Sequence, residues 1–400
     1  MKRRFYNWKK MIVCSLVLLA APMAVMAADA TPDELYDNVW RLINTKYVDL
    51  SDNGQVWTRW RTKYQNKLKT PEDAYVAIDT MLTSLNDPYT RFLDPKEFAE
   101  ETSSIKGSLK GIGVQIGLKD GNLVVIEPVV GSPAEKAGLL ADDKILEING
   151  VSTKGINIEK AAELIRGEVG TQVKLLVKRK DMEPLTFNVT RAEIEVKAVS
   201  TKPPIEVQIP DDIQYIRLTS FISKNASSEI RDILIKSRDK KGYILDLRSN
   251  PGGLLSNAVI MSRMFLRPGE TIVSTVDRYG YKDTMKTGGG KITNKPLVVI
   301  INKGSASASE IFSGAMKENH RATIVGEQSF GKGLVQEINK LPYGSGVNIT
   351  IQRYLTPDGN DIHKKGITPD VVVKLTEENV KNKDDVQLKE AIKVLQGQCN

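Results

Sequence analysis

Residues 295–336 read KPLVVIINKGSASASEIFSGAMKENHRATIVGEQSFGKGLVQ. Leu297 to Ile301 is a short, β-branched apolar run held between Pro296 and Asn302-Lys303-Gly304, which predicts a buried strand. The run gives way at Gly304 to the small residues Ser305, Ala306, Ser307, Ala308 and Ser309. Ile311, Phe312, Ala315 and Met316 then fall on one face of a helix. Strand, tight turn and helix follow in that order, with serines at the turn.

A hydroxyl in such a turn lies at the positive end of a helix, beside backbone N–H groups that lack intrahelical partners and can hold a developing oxyanion. It still needs a base. The chain has two histidines: His320, at the far end of the same helix and ~20 Å from Ser307 at 1.5 Å per residue, and His363, in a polar turn. Lys332 has the better context, because Gly331 and Gly333 let the backbone bend around it and apolar runs lie on either side. An ordinary lysine is only ~0.04% neutral at pH 7. Burial, which disfavours the charged form, is what would make it a usable base.

This block, from Asn302 to Gln336, resembles the active-site block of the carboxyl-terminal processing proteases, or tail-specific proteases, serine peptidases with a Ser–Lys dyad. The resemblance implies that Ser307 is the nucleophile, Lys332 the general base and Gln336 the residue that orients the lysine. The residues alone do not choose Ser307 over Ser305 or Ser309.

Upstream, YILDLRSNPGG ends a second strand much as VVIINKG ends the first, and strands alternate with helices from Tyr215 onward: YIRLTSF, Asn225 to Lys236, and Asn257 to Leu266. Such alternation argues for parallel β–α–β units with the site at the strands' carboxyl ends. Asp246 and Arg248 could flank that site, although a structural ion pair fits them better. By resemblance, Gly252, or its neighbour Gly253, supplies one oxyanion N–H and Ala308 the other. The implied fold is a multidomain α/β protein, with a helical N-terminal region and a PDZ-like domain placed before a βαβ, crotonase-like serine protease core.

The module before the core runs from Gly107 to about Arg191. Ser132 caps a short helix with Pro133 at its first position and Gly138 past its end, Asn149-Gly150 makes a tight turn after the strand Lys144 to Ile148, and a helix from Asn157 ends at Gly167. The module resembles a PDZ domain over its whole length. That implies a carboxylate-binding loop at Gly111, Ile112, Gly113 and Val114, with a peptide adding as a strand at the sheet edge. Arg166, at the end of the second helix, is either a charge set against the helix dipole or, by analogy with relatives, a regulatory link between peptide docking and the active site.

Further outward, Thr31 to about Ser103 reads as helical, with Leu35, Val39, Leu42 and Ile43 along one face. A second helix starts at Thr70-Pro71 and stops at Asn86-Asp87-Pro88. SLNDPYTRFLDPKEF resembles the stretch of the family in which N-terminal helices cover the core and take part in dimer contacts; a simple packing cap accounts for it equally well. Residues 1–27 carry a basic start, an apolar run from Met11 to Ala21 and the small-residue end Val25-Met26-Ala27, which predict a cleaved export signal. An uncleaved anchor is the alternative, but the run is shorter than the ~20 residues a spanning helix needs. The expected division is 1–27 signal, 28–103 helical region, 104–193 PDZ domain, 194–375 protease core and 376–400 a polar segment with one helix.

Of the net charge of +8, five units belong to residues 1–27, which leaves +3 and no basic stripe suited to nucleic acid. The balance of 40% hydrophobic and 26% charged residues is that of a soluble globular protein. Cys14 lies in the signal and Cys399 is next to last, so an exported chain has no internal disulfide. With one cysteine and two distant histidines, neither a metal nor another cofactor is expected.

The expected activity is therefore an exported serine endopeptidase of the periplasm or cell envelope, membrane-associated if the leader is retained. It would grip accessible protein C-termini in its PDZ domain. An adaptor protein and a homo-oligomer are allowed by family analogy. Rival readings are a catalytically silent or partner-dependent PDZ scaffold, a Ser–His hydrolase using His363, and an acyl-CoA-type enzyme with paired oxyanion N–H groups.

Overall fold

The computed structural model describes residues 30–399 apart from 106–107, 120, 130, 181, 196–197, 206 and 224. Residues 1–27, expected to be an export signal, fall outside the described residues. The core is built on a six-stranded sheet in the order Val199–Ser200, Ile213–Leu218, Gly242–Asp246, Leu297–Ile301, Thr323–Gly326 and Val371–Val372. All its pairings are parallel except the first, which is antiparallel. Every residue of Leu297–Ile301 is buried, as a strand covered on both faces must be. The helices Ala226–Lys236, Leu255–Arg263 and Ala308–Glu318 pack on one face through Ile230, Met261 and Phe312.

The other face of the sheet is covered by the C-terminal helix Val386–Gln398. Its Leu388, Ala391, Ile392 and Leu395 pack against Val298, Ile300 and Val325. The segment expected to be polar and separate therefore carries an apolar face into the core.

A second sheet is antiparallel throughout, with the order Arg91–Leu93, Gly346–Leu355, Thr271–Asp277 and Lys282–Lys286, and with Leu334–Lys340 also paired to Gly346–Leu355. Here the N-terminal region differs from the all-helical expectation. Between its helices Pro32–Lys46, Thr58–Lys63, Pro71–Thr83 and Pro95–Ile105 it places a strand, Arg91–Leu93, in register with Gly346–Asn348. Leu35, Val39, Ile43, Ile78 and Met81 share one hydrophobic cluster with Val347 and Ile349, so this region packs directly on the second sheet. Three residues of strand carry no readable period, and their partner lies about 250 residues away.

The PDZ module joins the rest through an antiparallel ribbon, Ser108–Gly111 with Ala192–Glu195. Its sheet runs Val114–Lys119, Asn122–Pro128, Lys144–Ile148, Gln172–Lys178 and Leu185–Thr190, which leaves Val114–Lys119 at an edge. Ser132 caps its helix as predicted and Asn157, read only as the start of the second helix, caps that one, each accepting from the N–H three residues on. The second helix ends at Ile165, short of the expected stop at Gly167, with Arg166 extended. Gly167 is a packing residue instead: a Cβ there would come within 2.8 Å of Arg191 Nε. Arg191, 7% exposed, caps the helix by donating to the carbonyls of Ile165 at 2.8 Å and Leu164 at 3.1 Å.

Candidate active site

The strand Leu297–Ile301 delivers the chain to a turn at which Ser307 has φ +54° and ψ −114°. Side chains with a Cβ rarely adopt that conformation, and holding one there costs about 1–3 kcal/mol. A serine on a sharp, strained strand-to-helix turn projects its hydroxyl clear of both elements. The three serines divide accordingly. Ser305 is fully buried, with Oγ donating to the Leu247 carbonyl at 2.8 Å and accepting from Asn302 N–H at 3.0 Å. Ser309 is also fully buried and donates to the Asn250 carbonyl at 2.9 Å. Ser307 alone of the three is partly exposed.

What fixes this elbow is a residue the sequence reading missed. Glu310, 1% exposed, points back to the turn, where Oε2 accepts from the N–H of Ser307 at 2.8 Å and of Lys332 at 2.9 Å. Oε1 accepts from Ser329 Oγ at 2.6 Å and Gly331 N–H at 2.7 Å. One carboxylate thus ties the serine turn to the loop that carries the lysine. Bonds to an ionised acceptor are the stronger kind. The Ser-x-x-Glu spacing of a capping box was the available signal. Tyr354, also missed and 1% exposed, adds a second tie: its hydroxyl lies 2.5 Å from the Lys332 carbonyl and 3.2 Å from that of Ser307. No local pattern marks it.

The loop after Asp246 packs against the turn from the other side. Asn250, fully buried, donates to the Leu218 carbonyl at 2.8 Å, and its own carbonyl accepts from Ala306 N–H at 3.0 Å. Gly252 has φ +98°, and a Cβ there would fall 2.6 Å from the Ala306 carbonyl and 2.8 Å from Ala308 N, so only glycine permits this approach. Its N–H, however, donates to Asn250 Oδ1 at 2.9 Å. The expected oxyanion donor is therefore occupied. The N–H groups of Ala308 and Gly253 make no hydrogen bond among the described residues.

Lys332 is half-buried between the core and the N-terminal region, with Nζ 4.6 Å from the centre of the Tyr89 ring. Burial pushes its pKa below the ordinary lysine value; the negative charges of Glu101 and Asp87 oppose that, Arg91 reinforces it, and Glu310 opposes it again. Gln336 makes no hydrogen bond to this amine among the described residues. Its amide reaches across the ladder to Thr350 Oγ1 at 3.5 Å, a distance at which a hydrogen bond is weak.

The remaining candidates lie apart from this centre or beside it. Asp246 and Arg248 form a buried structural network with Asp385 and Tyr215. His320 is exposed past the end of the elbow helix. His363 packs behind Gly333, with its pKa lowered by burial and with Nδ1 unpartnered among the described residues.

In the PDZ module the loop Gly111-Ile112-Gly113-Val114 leads into the edge strand, with the helix Ile158–Ile165 packed beside it. The N–H groups of Ile112 and Gly113 have no partner among the described residues. The Gly113 carbonyl is held by Ser132 Oγ at 3.0 Å and Val129 N–H at 2.8 Å. Gly113 has φ +72°, and a Cβ would come within 2.4 Å of Ser132 Cβ. Arg166 is exposed at the end of that helix.

A strained serine elbow on a parallel sheet, preceded by a PDZ module, defines a serine peptidase with a peptide-docking domain. Residues 212–373 match Peptidase family S41 and residues 124–179 match the PDZ domain. The carboxyl-terminal-processing protease of Synechocystis sp. is 40% identical over 372 residues, covering 90% of this chain and 85% of that protein. The carboxy-terminal-processing protease of Bartonella bacilliformis is 36% identical over 429 residues, covering 96% and 94%. Among solved structures, the photosystem II D1 C-terminal processing protease aligns with a TM-score of 0.60 at 33% identity, covering 92% of this chain and 97% of that one. The chain belongs to the carboxyl-terminal-processing proteases, and it is a serine peptidase with a PDZ domain.

Proposed function

We propose that this protease is exported and cuts with Ser307 and Lys332 after its PDZ module has taken hold of a protein C-terminus. In the first step the neutral Lys332 amine takes the Ser307 hydroxyl proton as Oγ attacks the scissile carbonyl carbon. The tetrahedral oxyanion is held by the Ala308 N–H and by the loop at Gly252-Gly253, where Gly253 has the free donor. Collapse expels the new amine, which leaves with the proton from the lysine. Water, activated in the same way, then releases the acyl group. Gln336, four residues along the chain, remains the candidate for steadying the amine during transfer.

The tail would dock at the Ile112 and Gly113 N–H groups and pair with the edge strand Val114–Lys119. Arg166, exposed nearby, is the residue through which docking would be communicated. Export is supported by the basic-apolar leader of residues 1–27, and the periplasm or cell envelope is the corresponding compartment.

The observation that carries this reading is that, of the three serines in the turn, only Ser307 combines exposure with the strained elbow conformation, and that its N–H shares a carboxylate with that of Lys332. The test is cleavage of an unfolded protein by purified Ser307→Ala and Lys332→Ala enzymes. Both should be inactive. Cleavage by Lys332→Ala at the wild-type rate would remove the lysine from the mechanism.

A further inference from the structure

The stretch from Asn86 to Arg91 does more than cover the core. Asp87 folds it into a tight turn, with Oδ1 accepting from Tyr89 N–H at 2.9 Å and Oδ2 accepting from Thr90 Oγ1 at 2.7 Å. Thr90 Oγ1 in turn accepts from Thr350 N–H at 3.0 Å, which fastens the turn to the long strand Gly346–Leu355. That strand also pairs with Leu334–Lys340, the strand that follows the lysine loop. Tyr89 and Lys332, distant in the chain, are thus mounted on one framework, with the amine 4.6 Å from the ring centre.

We infer that Tyr89 is a positioning residue for Lys332: its ring face receives the amine and favours the charged form, so the N-terminal segment completes the protease site. The attraction is that of a cation for the negative face of an aromatic quadrupole, strengthened where water is partly excluded. It opposes the effect of burial on the same amine. The other charged groups acting on Lys332 come from every surrounding element: Asp87 from the turn, Arg91 from the short strand, Glu101 from the helix Pro95–Ile105 and Glu310 from the elbow helix. His363 lies behind Gly333. Among the described residues, the ring over which the amine lies is that of Tyr89. The resting site thereby holds the lysine in place against the ring. This inference deepens the dyad reading, and its catalytic consequence rests on Lys332 being the base.

The test separates the two. In the full-length chain, competitive acetic anhydride labelling of the Lys332 amine across pH, read by peptide mass spectrometry, gives its titration midpoint without reference to activity. Tyr89→Leu keeps an apolar side chain and removes the ring, and should lower the midpoint by about half a pH unit or more. Tyr89→Phe keeps the ring and should hold the midpoint where it is. If Tyr89→Leu fails to fold by circular dichroism, Tyr89→Met carries the same expectation. An unchanged midpoint in the folded ring-less variant, or an equal shift in Tyr89→Phe, overturns the assignment. The acid limb of kcat/KM should move with the midpoint. If the midpoint moves and the limb stays, the contact with Tyr89 stands and the lysine is not the base.

Discussion

Ser307 and Lys332 donate their backbone N–H groups to the same oxygen, Oε2 of Glu310, at 2.8 and 2.9 Å. Two loops that meet nowhere in sequence are therefore set by one buried carboxylate. Glu310→Gln keeps the shape but turns an amide N–H₂ toward N–H and O–H donors, leaving at least one of them unpaired. The expected result is a loss of turnover on the order of 10²-fold, the size of effect that ~1 Å of misplacement produces. Unfolding stability should fall by about 1–3 kcal/mol. Single-turnover rates with a denatured substrate, beside urea unfolding, measure both. Full activity in the variant would show that the turn holds its own shape.

The division among the three serines gives a sharper contrast. Ser305→Ala removes two hydrogen bonds and Ser309→Ala one, and they should destabilise by about 1 kcal/mol per bond while retaining measurable turnover. Ser307→Ala removes no buried hydrogen bond of the kind Ser305 and Ser309 make, so it should change stability less than either of those variants, and it should abolish cleavage. A covalent serine-directed probe should label wild type, Ser305→Ala and Ser309→Ala, and fail on Ser307→Ala alone.

How far the sequence reached follows from the range of the interactions. The elbow was legible because strand, turn and helix are neighbours, and hydrophobic periodicity needs only local order. The cap at Ser132 and the helix start at Asn157 were legible for the same reason. The strand Arg91–Leu93 was not, since its pairing with Gly346–Asn348 is set by tertiary contact and three residues show no period. Nor was the docking of the last helix. The spacing of Leu388, Ala391, Ile392 and Leu395 marks an apolar face, but nothing local names the sheet it covers. At the site, the serine turn and Lys332 stood out by context and the family resemblance chose Ser307 among the three serines, whereas Tyr89, Asn250 and Tyr354 act through partners far along the chain.

The lysine assignment fixes the direction of the pH dependence. Burial lowers the Lys332 pKa, and only its neutral form can accept the serine proton. kcat/KM should therefore rise with pH through the depressed lysine value and fall as pH drops through it, with a single proton controlling the acid limb. Glu101→Gln removes a negative charge that favours the protonated amine, so its acid limb should lie at lower pH than that of wild type. A shift to higher pH would contradict the charge balance around the amine.

The C-terminal helix offers a test of the core that leaves the catalytic groups untouched. Asp385, 1% exposed, caps this helix by accepting from Leu388 N–H at 3.0 Å and pairs with Arg248 through bonds of 2.6 and 2.8 Å. Arg248 is shared with Asp246, which also accepts from the Tyr215 hydroxyl at 2.7 Å. Burial alone would raise the Asp385 pKa, but the Arg248 guanidinium overrides that and holds it below the usual carboxylate range. A carboxyl whose pKa is lower in the folded than in the unfolded chain stabilises the fold above about pH 4, the unfolded value, and that contribution is lost as pH falls through the folded one. Asp385→Asn should thus cost about 3 kcal/mol at pH 7, the scale for breaking a buried pair, and progressively less below about pH 4. Urea midpoints of wild type and variant at pH 7 and at successively lower pH measure the difference. A gap that does not narrow on acidification would mean that the pair's charge contributes nothing and that Asp385 acts through its hydrogen bonds to Leu388 N–H and Arg248 without the charge.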